Sequence, residues 1–302
     1  MNRSQYMKFR IRRKLRKNNL FGSHLKLGVV NKLRSLYERN NINICYNKFI
    51  PEQYDEKKSN ILLAIESPAL IEHEDWIKPY MNFDGEVSFK NFFGLENYVC
   101  CRTLYVNNDN FVNIEVGTLF KDKSELVSIV SSNKRFLEGH KLRHSVVKQY
   151  GQDLNIFGSG YQKFGNIDAA FTKHKFQIVI ENGKYPEYVS EKFFDCIKTQ
   201  TVPIYWGGED AVQKMGFDLN GVIFFNSIAE LDEIIPELGD GLYFEKYNSL
   251  IFNLRRLIEL RNENKMNYYL NSFMLNYMHT TKSYLCSEYN NLNLELENYK
   301  DF

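Results

Sequence analysis

The run His174 to Gly208, HKFQIVIENGKYPEYVSEKFFDCIKTQTVPIYWGG, gathers carboxylates, a tyrosine, a serine and a lysine into one polar loop and the start of a helix. Ser190 can cap that helix, which leaves the positive end of its dipole and free N–H groups facing the loop. Lys192 in the first turn opposes the dipole. A basic side chain there makes sense if a phosphate sits between the two, and a diphosphate is the first expectation. Glu191 could accept hydrogen bonds from sugar hydroxyls, and Tyr188 could stack on a ring or hydrogen-bond to it. The plainer alternative is that Glu191 only complements the dipole while Lys192 is solvated.

Two further places carry chemistry. Glu66 directly follows the apolar run Ser59 to Ile65, and a carboxylate just after a parallel-type strand lies where a general base is needed, although Glu-Ser-Pro also suits a turn or a cap. Lys163 follows Gly158-Ser159-Gly160 closely enough to reach a phosphate.

The elements that must position these groups follow from periodicity. Phe176 to Ile180 and Val202 to Trp206 read as buried strands, with a helix from about Ser190 to Lys198 between them, and so make a βαβ unit. Such a unit implies a parallel sheet with a ligand crevice at the strand C-terminal ends. Leu126 to Val130 and Leu154 to Phe157 add strands that end in Ser131-Ser132-Asn133 and Gly158-Ser159-Gly160, and Lys134 to Tyr150 reads as a helix carrying Lys141 and Arg143. Gly221 to Phe225 gives another strand, and Ser227 to Leu238, Tyr247 to Leu260 and Lys265 to Tyr284 give helices. Earlier in the chain, His24 to Tyr37 has helical spacing, Ile42 to Tyr46 alternates as a strand, and Val87 to Val106 holds short strands. A linker falls near Asn107 to Lys123. These readings divide the chain into residues 1–120, 121–270 and a helix and tail at 271–302.

Among 302 residues, 39 basic and 37 acidic side chains nearly cancel, so no global field calls for nucleic acid. Five irregularly spaced cysteines point to reduced thiols in a reducing compartment and hence a cytoplasmic setting. Neither a metal-ligand cluster nor an Asp-x-Asp at a strand end is legible, so no obligate metal is expected, although a divalent cation could stimulate. No run is apolar enough to span a bilayer or to form a signal-peptide core. Residues 1–17 hold eight basic and no acidic side chains, a block that could rest peripherally on an anionic membrane or simply be solvated.

The separated segments together resemble glycosyltransferase family 10, the α-1,3/4-fucosyltransferases. The resemblance is carried by Glu181-Asn182, Tyr188-Val189-Ser190-Glu191-Lys192 and Pro203-Ile204-Tyr205-Trp206-Gly207 at the family's spacing. Val130-Ser131-Ser132-Asn133, the Asp153 to Gly158 turn and Glu66-Ser67-Pro68 are also similar to family elements. Gly183 departs from the Ser or Thr usual after Glu-Asn.

This resemblance implies a GT-B architecture, two Rossmann-like domains facing across a cleft, and transfer of fucose from GDP-fucose to a glycan acceptor with inversion. Carried over, Glu66 would be the general base and Glu191 a second catalytic carboxylate. Asn133 and Lys141 or Arg143 would contact the diphosphate, with Lys163 near an arginine position of some members. Glu181, Asn182, Tyr188, Ser190, Glu191 and Lys192 would hold the donor, and His174 stands where the family often has Tyr. The rivals are a transferase using another GDP- or UDP-sugar, and a noncatalytic protein that binds anionic surfaces through its basic start.

Overall fold

A computed structural model describes residues 41–46, 54–64, 67–75, 77–78, 80–81, 85–88, 123–161, 170–186 and 188–262, which divide between two units. In the first, Ile42–Tyr46 (β1), Ser59–Ala64 (β2) and Gly85–Ser88 (β3) form a parallel sheet in that order, with Ile44 opposite Ile61 and Leu63 opposite Val87. Cys45 and Leu62 are buried there. Asn60, also buried, takes a hydrogen bond from Asn43 Nδ2 (2.8 Å) and gives one to the Asp55 carbonyl (2.8 Å), so the loop before β2 is tied to the strand.

The second unit holds the short helix Pro68–His73 (α1) and a five-stranded parallel sheet. Its strands are Glu125–Val130 (β4), Asn155–Phe157 (β5), His174–Ile180 (β6), Val202–Trp206 (β7) and Ile223–Phe224 (β8), in the spatial order β5-β4-β6-β7-β8. Every pair is parallel. Glu138–Tyr150 (α2), Glu191–Lys198 (α3) and Glu209–Lys214 (α4) connect strands, and Ile228–Glu237 (α5) and Asp240–Asn262 (α6) follow the last of them. Both sheets are thus parallel, and the second is of the α/β kind.

Parallel strands covered on both faces read as continuous apolar runs, and β6 and β7 do. Every residue of β7 is buried, as are all of β6 but Lys175. Pro203 is tolerated in β7 because β8 pairs only with Ile204 and Tyr205, so no ladder bond is lost on that side. The core is aromatic. Phe193 of α3 lies edge to face or tilted against Phe194, Tyr205 and Phe217, with ring centroids 5.1 to 5.6 Å apart. Burying each such ring contributes roughly 2–3 kcal/mol.

Three elements differ most from the sequence reading. α2 starts at Glu138, four residues after Lys134, because the His140 ring accepts the Leu137 N–H and caps the helix there (3.3 Å), with Glu138 as the acidic first residue. β8 is shorter than Gly221 to Phe225, because Asp218 caps a 3₁₀ turn over Leu219–Gly221. α6 begins seven residues before Tyr247. Its first turns are held by Tyr243, fully buried against Phe176 of β6, whose hydroxyl donates to the Gln200 carbonyl (2.8 Å), and by Lys175 pairing with Asp240 (3.2 Å). Among the described residues no helix is long and apolar enough to cross a membrane.

Candidate functional site

Within the second unit the strand order, renumbered along the chain, is 2-1-3-4-5. After β4 the chain leaves through α2 toward β5 on one side; after β6 it leaves through α3 toward β7 on the other. The loops diverge at the C-terminal ends of β4 and β6, the kind of switch point at which doubly wound sheets bind ligands. The loops that meet there are residues 131–137 and 181–190.

Two close backbone approaches fix them. A Cβ on Gly139 would lie 1.7 Å from the Glu181 carbonyl oxygen, and the Gly139 N–H donates to the Asn182 carbonyl (3.2 Å), so the first turn of α2 rests on the residues that open the second loop. Gly158 and Gly160 have positive φ, and a Cβ on either would run into Ser131 or the Asn133 side chain. The Ser-Ser-Asn and Gly-Ser-Gly turns, separate in the sequence, are one structure.

Glu181 is fully buried, and its carboxylate organises the second loop. It accepts from the Ser190 N–H (2.8 Å), the Ser190 hydroxyl (2.6 Å), the Tyr205 hydroxyl (3.2 Å) and Lys192 Nζ (3.2 Å). Lys192 Nζ also donates to Ser190 Oγ (2.7 Å) and Glu191 (3.3 Å). Ser190 does cap α3, since its hydroxyl accepts the Lys192 N–H, and its carbonyl takes the Phe193 N–H. The helix end therefore differs from the expectation of free N–H groups awaiting an anion: the chain supplies its own, Glu181. Nor is Lys192 simply solvated, with its side chain 28% exposed in an ion pair whose acid is inaccessible.

Arg143, buried on α2, reaches the same corner. Its Nε and Nη2 donate to the Ile180 carbonyl (3.0 and 2.6 Å), and Nη2 also donates to Asn182 Oδ1 (2.9 Å). Among the described residues Nη1 makes no hydrogen bond. Burial lowers the guanidinium pKa, and the Glu181 and Glu191 carboxylates work against that shift. For Lys192 burial again opposes the charge, but the same two carboxylates outweigh it and hold the pKa above the ordinary lysine value. Both cations stay charged beside a hydrogen-bonded acid. His140 lies within the field of Arg143, Lys134 and Lys192, and burial, followed by those cations, lowers its pKa to about 4. It is a neutral ring at ordinary pH.

A third segment joins this edge. α1 begins just after Ser67, which is buried, and the Ala69 N–H donates to the Tyr185 hydroxyl (3.1 Å) in the 181–190 loop. At its other end His73 stacks on Phe136 of the 131–137 loop, with centroids 3.9 Å apart and planes 5° apart. Phe136 in turn meets His140 edge to face at 4.6 Å.

The structure thus brings together Arg143, Glu181, Asn182, Ser190, Glu191 and Lys192. Asn133 is exposed at the mouth of the first loop, and Lys141 is exposed on α2 without the contacts Arg143 makes. Tyr188 is only 3% exposed, edge to face with Tyr185, so its ring belongs to the loop's packing. Glu181 has the placement of a support and not of a ligand contact. His174 stands apart: it is the first residue of β6, paired with Asn155 Nδ2 (3.0 Å), about 20 Å of strand away from Glu181. Glu66 and Lys163 lie outside the described residues. Sequence reasoning missed Phe136, Gly139, His140, Tyr185 and Tyr205. A glycine in the first turn of a helix was a legible sign of close approach; the others became significant only through partners distant in the chain.

Residues 120–291 match the model of "Glycosyltransferase family 10 (fucosyltransferase) C-term". A curated relative, 4-galactosyl-N-acetylglucosaminide 3-alpha-L-fucosyltransferase 9 of Rattus norvegicus, is 22% identical over 247 residues, which cover 76% of this chain and 64% of that protein's length. Two solved structures show a weaker likeness. An alpha1,3-fucosyltransferase with GDP has a TM-score of 0.45 at 15% identity, covering 75% of this chain and 77% of the other. An alpha1,3-fucosyltransferase with GDP-fucose has a TM-score of 0.40 at 16% identity, covering 67% of each. The family match spans more than half the chain and includes the whole Glu181 to Lys192 corner: the chain belongs to glycosyltransferase family 10, the fucosyltransferase family.

Proposed function

We propose that the chain is an inverting glycosyltransferase that moves fucose from GDP-fucose to a hydroxyl of a glycan acceptor, with Glu66 as general base. The observation that carries this reading is the convergence of Arg143, Lys192 and Asn182 at the switch point of the second sheet, where a diphosphate can be met by charge held in place in advance. Arg143 Nη1, without a hydrogen bond among the described residues, can donate to a phosphate oxygen. Among the described residues Lys192 has three partners, of which Glu191 is the accessible one, its side chain 39% exposed. A bound diphosphate takes Glu191's place on Lys192, and the released carboxylate turns to the fucose hydroxyls. Asn133, at the neighbouring mouth, contacts the nucleotide.

In the reaction the acceptor oxygen bonds to the anomeric carbon as the bond from that carbon to the GDP oxygen breaks. The acceptor proton goes to Glu66, and the negative charge goes to the diphosphate beside Arg143 and Lys192. A single displacement inverts the anomeric centre. These cations supply the charge stabilisation without an obligate metal, and a divalent cation acts only as a stimulant. The same proposal includes a GT-B organisation, with residues 1–120 taking the acceptor and residues 121–270 the donor. It also includes a cytoplasmic setting in which residues 1–17 touch an anionic membrane.

Glu66→Gln tests the base. Transfer should fall by at least about 100-fold, with GDP affinity, measured by calorimetry, unchanged. A Gln variant as fast as wild type would remove Glu66 from the role.

A further inference from the structure

The two nitrogens of the His140 ring have different fates. Nδ1 accepts the Leu137 N–H at the start of α2 (3.3 Å), and a nitrogen that accepts leaves the proton of a neutral imidazole on the other one. The ring is neutral, since burial and then the neighbouring cations lower its pKa to about 4. Nε2 therefore carries a hydrogen, and among the described residues it makes no hydrogen bond. A polar N–H without an acceptor, on a side chain only 4% exposed, costs free energy until something supplies one.

The surroundings define what that acceptor is. His140 stands one turn before Arg143 on the same face of α2. Gly139, the residue before it, leaves no room for a Cβ against the Glu181 carbonyl and donates its N–H to the Asn182 carbonyl (3.2 Å), so the first turn of α2 lies against the loop that carries the corner. Phe136, edge to face with the ring at 4.6 Å, fixes its plane. The charges that act on the ring most strongly come from three elements, Arg143 on α2, Lys134 in the 131–137 loop and Lys192 on α3, and all are positive. An N–H set among cations is matched by an anion.

We infer that His140 is a further nucleotide-binding residue: its Nε2–H donates a hydrogen bond to the diphosphate held between Arg143 and Lys192. The inference rests on the proposed function for a diphosphate at this corner, and on nothing else in it. A neutral donor suits the place, because it hydrogen-bonds a phosphate oxygen without adding a further cation to the repulsion among those already there.

Two substitutions separate the two nitrogens. His140→Asn sets an amide oxygen near the Nδ1 position, where it can accept the Leu137 N–H, and puts nothing at Nε2. His140→Gln reaches the Nε2 position with an amide N–H and leaves Leu137 uncapped. The Asn variant should therefore melt above the Gln variant yet bind GDP, by calorimetry, roughly 10- to 100-fold more weakly than wild type. The Gln variant should recover most of that affinity. An Asn variant that binds GDP as wild type does would overturn the assignment, as would affinities that follow the melting temperatures of the two variants, the mark of a ring that only caps the helix. A wild-type chain that binds neither GDP nor GDP-fucose would overturn the diphosphate reading and the role of His140 with it. A wild type that binds both, beside an unimpaired Asn variant, would overturn the role of His140 alone.

Discussion

The carboxylate of Glu181 decides what the neighbouring residues can be. A buried acid with four donors around it offsets the cost of holding two cations in an interior corner, where an unpaired charge would have to take in water. Removing one member of such a set leaves the others unpaired. Glu181→Gln is expected to lower unfolding free energy by roughly 3–5 kcal/mol, read as a lower midpoint in urea. A change of well under 1 kcal/mol would mean that the corner is not the charge cluster described here. At this scale the sequence was half legible. The residue types from Glu181 to Lys192 announced polar chemistry and the serine cap. They could not show that the anion at the helix N-terminus is internal, because Tyr205 and Arg143 come from other elements. For the same reason a lysine that looked misplaced against the dipole turns out to be the counter-ion of a buried acid.

At the scale of elements, the first four strands of the second sheet could be read to within two residues, since burial leaves an apolar run bounded by turn residues. Helix starts were less legible because tertiary partners set them. His140 starts α2 by capping Leu137 with its own ring, and Tyr243 pulls the start of α6 back to Asp240 by reaching Gln200. The N-terminus of α2 also explains Gly139. With no room for a methyl group against Glu181, Gly139→Ala must shift the first turn of α2, and Arg143 with it. Overpacking of this kind costs about 1–3 kcal/mol. The variant should be less stable by that amount and bind GDP at least several-fold more weakly, as calorimetry would show. Wild-type stability and affinity would place the turn further from Glu181 than the structure has it.

For the whole molecule, the strand order could not be read from the sequence, because a βαβ pattern fixes parallel pairing but not which side the next strand takes. The 2-1-3-4-5 order is what brings the 131–137 and 181–190 loops to one switch point. The expected helix from His24 to Tyr37, the strands beyond Ser88, the linker near Asn107 to Lys123, the basic segment 1–17 and the helix from Lys265 to Tyr284 fall outside the described residues or nearly so.

Stability of the whole fold should also respond to pH through two buried imidazoles. Burial, then nearby cations, lowers His140 and His174 from 6.5 to about 4. The unfolded chain protonates these rings as pH drops below 6.5 while the folded chain resists until about 4, so stability is full above the upper value and is lost as pH falls through the window. The loss is on the order of 2–3 kcal/mol per ring. Thermal melts across that range should fall for wild type and flatten for His140→Gln, His174→Gln or the pair; a flat wild-type profile would show that the rings are not held neutral.

The central claim, that the crevice in the second unit takes a guanosine diphosphate sugar, is tested most directly by incubating purified chain with GDP-, UDP- and dTDP-sugars and following nucleotide release without an acceptor. The account predicts slow release of GDP from GDP-fucose, faster than from GDP-mannose, inhibited by GDP and not by UDP, and lost on Lys192→Met. Release from a UDP- or dTDP-sugar with none from any GDP-sugar, or release from GDP-fucose undiminished in Lys192→Met, would contradict it.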